Sequence, residues 1–201
     1  MAVCKTTNTG ITWETRSFPG YEGDYSTSCE AVAVAPGNAS IVYAGGQLDG
    51  YPKIFRSADA GNTWSDVTDN LATMLSRYHT VYAIWVSPYD PGMVLVGTSG
   101  GVFLWTAFGR GQNRTWTPTA IAHPTQDFAY DQARGILYAA TDRGVFQTDD
   151  AGVSWRELND GLGCLETLCI DLDSQNGLLF VGTNGGSVWR LETTPTDLVA
   201  Q

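Results

Sequence analysis

Three stretches of this sequence bring together the residue types that chemistry needs. Tyr21-Glu22-Gly23-Asp24-Tyr25 is polar and aromatic, Asp49-Gly50-Tyr51 repeats that mixture, and Arg77-Tyr78-His79 adds a cation and an imidazole. Two carboxyl groups flanking a glycosidic bond, one as acid and one as base or nucleophile, would make a glycoside hydrolase. Glu22, Asp24 and Asp49 are the candidates for that pair. The same stretches serve a simpler chemistry. Tyr21, Tyr25, Tyr51 and Tyr78 can act as aromatic anchors for a peptide or sugar, with Asp24, Asp49, Arg77 and His79 as polar ones. Each is also what an ordinary surface loop looks like.

Other constellations are missing. His79 and His123 are the two histidines, which is too few for a His-rich metal site. No Gly-x-Ser-x-Gly nucleophile elbow occurs, and no Gly-rich loop opens a helix to cradle phosphate. Asp59, Asp150, Asp171 and Asp173 lack the spacing of an EF-hand. No cofactor and no metal are expected. The cysteines at 4, 29, 164 and 169 are scattered, without CxxC spacing, and read as free buried thiols, with one bridge as the alternative.

Composition sets the frame for these residues. A chain of 201 residues, 43% hydrophobic and 16% charged, has enough apolar material for one globular domain. Its 23 glycines and seven tryptophans argue against a helical bundle, since Gly weakens helices and aromatics favour strands. The net charge of −10 repels phosphate backbones, so no nucleic-acid partner is expected; a basic partner is favoured instead. The cations are Lys5, Lys53 and nine arginines, whose planar forks suit structural pairs or an anionic ligand. No apolar run reaches the ~20 residues of a membrane helix, so no membrane insertion is expected. Residues 1–5 lack the basic and apolar segments of a signal peptide, so the chain reads as cytoplasmic or as an exported form without its signal.

The elements that must hold the three stretches are repeated. Residues 6–13, 57–64 and 148–155 share the pattern Ser/Thr-x-Asp/Asn-x-Gly-x-Thr/Ser-Trp, and 109–116 keeps its final Thr-Trp. Asn8, Asp59 and Asp150 can accept backbone N–H groups in a tight turn, and Gly10, Gly61 and Gly152 supply positive φ. Trp13, Trp64, Trp116 and Trp155 are expected to pack between sheets. These tryptophans fall 51, 52 and 39 residues apart, the length of a four-stranded blade. Four short strands per interval fit at 31–35, 41–44, 54–57 and 63–67; at 82–87, 93–97, 102–106 and 115–118; and at 127–130, 136–139, 145–148 and 154–158. A short helical turn is expected near 70–77.

With these motifs in place, the chain resembles the Asp-box (BNR) repeat β-propellers, known from sialidases, xyloglucanase-type hydrolases, sortilin-type receptors and photosystem II stability/assembly factors. The resemblance implies an all-β fold of four-stranded antiparallel blades, with the box as a structural turn between third and fourth strands. It covers nearly the whole chain as one domain, with blade units at about 31–67, 82–118, 127–158 and 168–193, the last closed by 2–16. That gives four blades, with an arc of a larger propeller as the alternative. A sialidase also needs three arginines around its substrate and an Arg-Ile-Pro signature; 17–19 is Ser-Phe-Pro, and Arg16, Arg77 and Arg143 are few for the task. Xyloglucanase-type enzymes use a cleft between two large propellers. The resemblance therefore implies a non-enzymatic binding module for a protein, peptide or glycan, with glycoside hydrolysis as the alternative. The contact face lies opposite the boxes, in loops 16–30, 46–52, 68–81, 119–126 and 159–165.

Overall fold

The computed structural model describes residues 2–20, 27–106 and 114–193. The chain divides into two compact units, 1–124 and 125–201. In the first unit, β1 (Ala2–Lys5) and β2 (Glu14–Ser17) form a two-stranded sheet. A four-stranded meander follows: β3 (Thr27–Val34), β4 (Val42–Leu48), β5 (Tyr51–Ser57) and β6 (Ser65–Asp66). After the short helix α1 (Leu71–Met74) comes a second meander of β7 (Val81–Val86), β8 (Val94–Thr98), β9 (Gly101–Thr106) and β10 (Thr115–Pro118). The second unit holds a third meander, β11 (Thr125–Asp131), β12 (Ile136–Thr141), β13 (Gly144–Thr148) and β14 (Arg156–Glu157). It ends in a three-stranded sheet of β15 (Thr167–Asp173), β16 (Leu178–Thr183) and β17 (Ser187–Glu192). Every pairing among the described strands is antiparallel, and the short helical turn expected near 70–77 is α1.

One irregularity recurs. The first strand of each larger sheet carries a bulge near its start, at Cys29/Ala31, Val81/Ala83, Thr125/Asp127 and Thr167/Cys169. An extra residue there bends the strand and increases its twist, which turns the preceding connection across the end of the sheet.

The second strands of the meanders, β4, β8 and β12, are buried almost throughout and build the core from both faces. In the first unit Tyr43 and Ile54 pack against Val81, Val86, Val94 and Val96, with Trp105 stacked on Trp116 at 5.9 Å. A second cluster sets Phe18 against Phe55 at 4.1 Å and edge-on to Trp64 at 5.1 Å, with Val3 packed on it. In the second unit Tyr138 and Val145 pack against Ile170, Leu179 and Val181. Side chains of this size lose roughly 1.5–3 kcal/mol each if left in water.

The three octapeptides form one turn, repeated. Ser57 Oγ donates to Asp59 Oδ1 at 2.8 Å and accepts from the Gly61 N–H at 2.8 Å, while Asp59 accepts from Thr63 N at 2.8 Å and Thr63 Oγ1 at 2.7 Å. Thr148, Asp150, Gly152 and Ser154 make the same circuit at 2.6–3.0 Å. Thr6, Asn8, Gly10 and Thr12 make it too, with one donor reversed: Asn8 Nδ2 donates to Thr12 Oγ1 at 2.8 Å. The residue before each glycine also has positive φ: Thr9 at 56°, Ala60 at 58° and Ala151 at 58°. A non-glycine residue held there needs the surrounding hydrogen bonds to pin it.

Two local expectations change. Trp64 and Trp116 are buried and Trp155 partly so, but Trp13 is 61% exposed. It lies just before β2, whose sheet has only two strands among the described residues. The four cysteines are free, but Cys4, Cys29 and Cys169 are exposed and Cys164 is intermediate, rather than buried. No helix among the described residues is long and apolar enough to cross a membrane.

Candidate functional site

The stretch 46–52, read as a loop, is mostly strand. β4 continues to Leu48 and β5 begins at Tyr51, so only Asp49 and Gly50 turn the chain. Their φ values of 50° and 83° have the signs of a type I′ turn, whose twist matches that of the flanking strands. The outcome is a two-residue hairpin that carries Tyr51 on its rim.

The connection from β6 to β7 is fastened from beneath. Leu71 and Leu75, four residues apart on one face of α1 and its end, are both buried. Leu75 N–H donates to Leu71 O at 2.9 Å and closes the helical turn. Gly100 lets this segment lie close to the β8–β9 hairpin. A Cβ there would stand 2.5 Å from Leu75 Cδ2 and 3.2 Å from His79 Cε1.

These two elements meet. Tyr78 N–H donates to Gly50 O, and Arg77 Nη2 donates to Asp49 O at 3.3 Å. The Arg77 guanidinium lies over the Tyr51 ring at 5.4 Å and over the Tyr78 ring at 5.8 Å. Such a stack holds the cation by the negative faces of both rings. Tyr78 is 79% exposed and adopts φ 73°, a left-handed conformation that an aromatic residue rarely takes. His79 faces inward instead: its Nδ1 is 2.9 Å from Ser99 Oγ, which also accepts from Thr80 N–H at 3.1 Å. Gln47 Nε2 donates to His79 O at 3.3 Å and to Thr80 Oγ1 at 3.1 Å, tying the connection to β4.

The structure thus joins Asp49, Tyr51, Arg77, Tyr78 and His79, which the sequence offered as separate stretches. Tyr21, Glu22, Asp24 and Tyr25 lie outside the described residues. Sequence reading gave Gln47, inside the 46–52 stretch, and Ser99 and Gly100 no individual role. The near-identical turns Gly97-Thr98-Ser99-Gly100-Gly101 and Gly182-Thr183-Asn184-Gly185-Gly186 held the signal for the last two. Among the described residues, no group of three or more His, Cys, Asp or Glu gathers as for a metal ion. The assembled residues present an exposed aromatic–cation–aromatic surface of Tyr51, Arg77 and Tyr78.

No protein-family model and no curated protein sequence matches the chain. Solved structures do. A structure of YCF48 bound to a D1 peptide matches with a TM-score of 0.66 and 16% identity, over 98% of this chain and 58% of that one. PorZ, an essential surface component of the type-IX secretion system of Porphyromonas gingivalis, matches at 0.63 and 16%, over 94% and 29%. An ancestral GH74 enzyme matches at 0.61 and 17%, over 89% and 24%. The chain therefore spans 24–58% of the length of these matches. At such identities the likeness shows the fold alone, which is that of the β-propellers.

Proposed function

We propose that this chain is a non-enzymatic binding module of the Asp-box propeller type, recognising a protein, peptide or glycan through its loop face. The observation that carries the reading is Arg77 held between Tyr51 and Tyr78 across two connections, on the side of the sheets away from the octapeptide turns. Aromatic and arginine side chains dominate binding hot spots because they bring large contact area with little conformational freedom to lose. The three repeated hydrogen-bond circuits support the Asp-box assignment, and they consume the carboxylates of Asp59 and Asp150 in structure. Similar propellers include both a GH74 enzyme and YCF48 with a bound peptide. The hydrolase alternative rests on Glu22 and Asp24 together with Asp49.

A random-peptide display library panned on the immobilised chain, beside a panel of aryl glycosides, tests the reading. We expect selected peptides whose affinity falls at least about tenfold in Arg77→Ala and in Tyr78→Ala, equivalent to ~1.4 kcal/mol, and no glycoside turnover. Selected peptides indifferent to both substitutions, or hydrolysis of a glycoside lost in Asp49→Asn, would overturn it.

A further inference from the structure

The third octapeptide carries more than its turn. A cavity of about 250 Å³ beside it is lined by Ile136, Gln147, Asp149, Trp155 and Arg156 and by the turn itself. Every lining residue among those described belongs to the second unit. The charged side chains stand at positions that the repeated pattern leaves free. Asp149 takes the place of Thr7 and Ala58, and Arg156 that of Glu14 and Ser65. Neither is needed for the hydrogen-bond circuit, which runs through Thr148, Asp150, Gly152 and Ser154, and both are exposed. Trp155 also differs from its counterpart. Phe18 stands edge-on to Trp64 at 5.1 Å and Trp64 is 8% exposed, while Trp155 stays partly open. Its Nε1–H donates to Gly152 O at 3.1 Å, which holds the indole in one orientation. With the Gln147 amide oxygen turned towards it, Arg156 donates from Nε at 3.1 Å and from Nη2 at 2.9 Å. The guanidinium is thereby positioned before any ligand arrives.

We propose that this cavity binds a single neutral sugar ring, at a site separate from the Arg77 surface and on the octapeptide side of the sheets. A pyranose has a face of C–H groups, which lies flat against an indole, and an edge of adjacent hydroxyls that both donate and accept. The Asp149 carboxylate can only accept and the Arg156 guanidinium can only donate, so neighbouring hydroxyls find one partner of each kind. Opposite charges in one cavity give neither an anion nor a cation the advantage. Ile136, partly buried, adds apolar surface for the ring carbons. Size points the same way. Pockets for drug-sized ligands span roughly 300–1,000 Å³, so about 250 Å³ takes one ring rather than a peptide segment.

Titration of the full chain with the methyl glycosides of glucose, galactose, mannose and N-acetylglucosamine tests this, read by the assigned indole N–H signals in heteronuclear NMR. At least one sugar should move the Trp155 signal saturably, with a dissociation constant on the order of 1 mM, as suits so few contacting atoms. Asp149→Ala and Arg156→Ala, both at exposed positions and checked for folding by circular dichroism, should each weaken that binding at least about fivefold. Glycine, a zwitterion that could pair with both charges, should leave the Trp155 signal in place. No movement of that signal with any of the sugars, a variant that binds as the parent does, or a shift produced by glycine overturns the proposal.

Discussion

Asn70 pairs with Trp116 as though it were a length of strand. Its side-chain Oδ1 accepts from Trp116 N–H at 2.8 Å, and its Nδ2 donates to Trp116 O at 2.9 Å. Asn70 stands at the N-cap of α1, yet its side chain makes no cap there, being committed to β10. Trp116 Nε1–H adds a bond to Val67 O at 2.9 Å. Asn70→Asp keeps the shape but replaces the donor with a carboxylate facing a carbonyl. A loss of about 2 kcal/mol in urea unfolding is expected.

Acid should act on the octapeptide turns. Hydrogen bonds from Thr63 and Ser57 lower the Asp59 pKa from 3.8 to about 2. At Asp150 burial pushes upward, but hydrogen bonds from Ser154 and Thr148 outweigh it and the value also falls to about 2. Because the folded values lie below the unfolded one, this stabilisation is complete above the unfolded pKa and is lost as pH falls towards 2. Carboxyl titration by NMR should show both groups titrating late. The double variant Asp59→Asn/Asp150→Asn, which copies the Asn8 turn, should flatten the fall in unfolding midpoint between pH 4 and 2.

Tyr78 separates stability from binding. Left-handed backbone costs an L-residue roughly 1–2 kcal/mol, and glycine escapes that cost. Tyr78→Gly should leave the unfolding midpoint unchanged or raised, while affinity for a selected peptide drops about tenfold. A variant that loses stability and binding together would assign the residue to the fold.

Asp131 anchors the second unit. Its carboxylate is fully buried, 2.7 Å from Arg134 Nη1, and accepts from the N–H groups of Ala133 and Arg134 at 3.0 and 3.1 Å. Asp131→Ala leaves those donors without their acceptor and should cost about 3 kcal/mol in denaturant unfolding. Arg134→Ala should cost less, since the guanidinium is 31% exposed and the backbone bonds survive.

Much of this architecture is written locally. Ser57, Asp59, Gly61, Thr63 and Trp64 determine a turn within eight residues, so its pattern survives in sequence and its spacing reveals the blade. The site is less legible because its parts are distant in the chain. Nothing near Arg77 indicates Tyr51; their meeting depends on Leu71 and Leu75 entering the core and on Gly100 leaving room. The length of β4 and β5 was hidden by Gly45 and Gly46, which look like loop residues but lie in the ladder. Trp13 shows the opposite failure, where a motif is kept but the packing around its indole is not.

The side-chain circuits of the octapeptides join residues no more than four apart in sequence, so each turn can form while the chain is still extended elsewhere. Contacts this short in sequence form early, because little loop entropy opposes them. The first productive events of folding should therefore be several and separate, at 6–13, 57–64 and 148–155. Each would zip its third and fourth strands before the inner strands arrive from farther away. Pulsed hydrogen exchange during refolding should therefore protect the amides of Gly61, Thr63, Gly152 and Ser154 before those of the longer-range strand pairs.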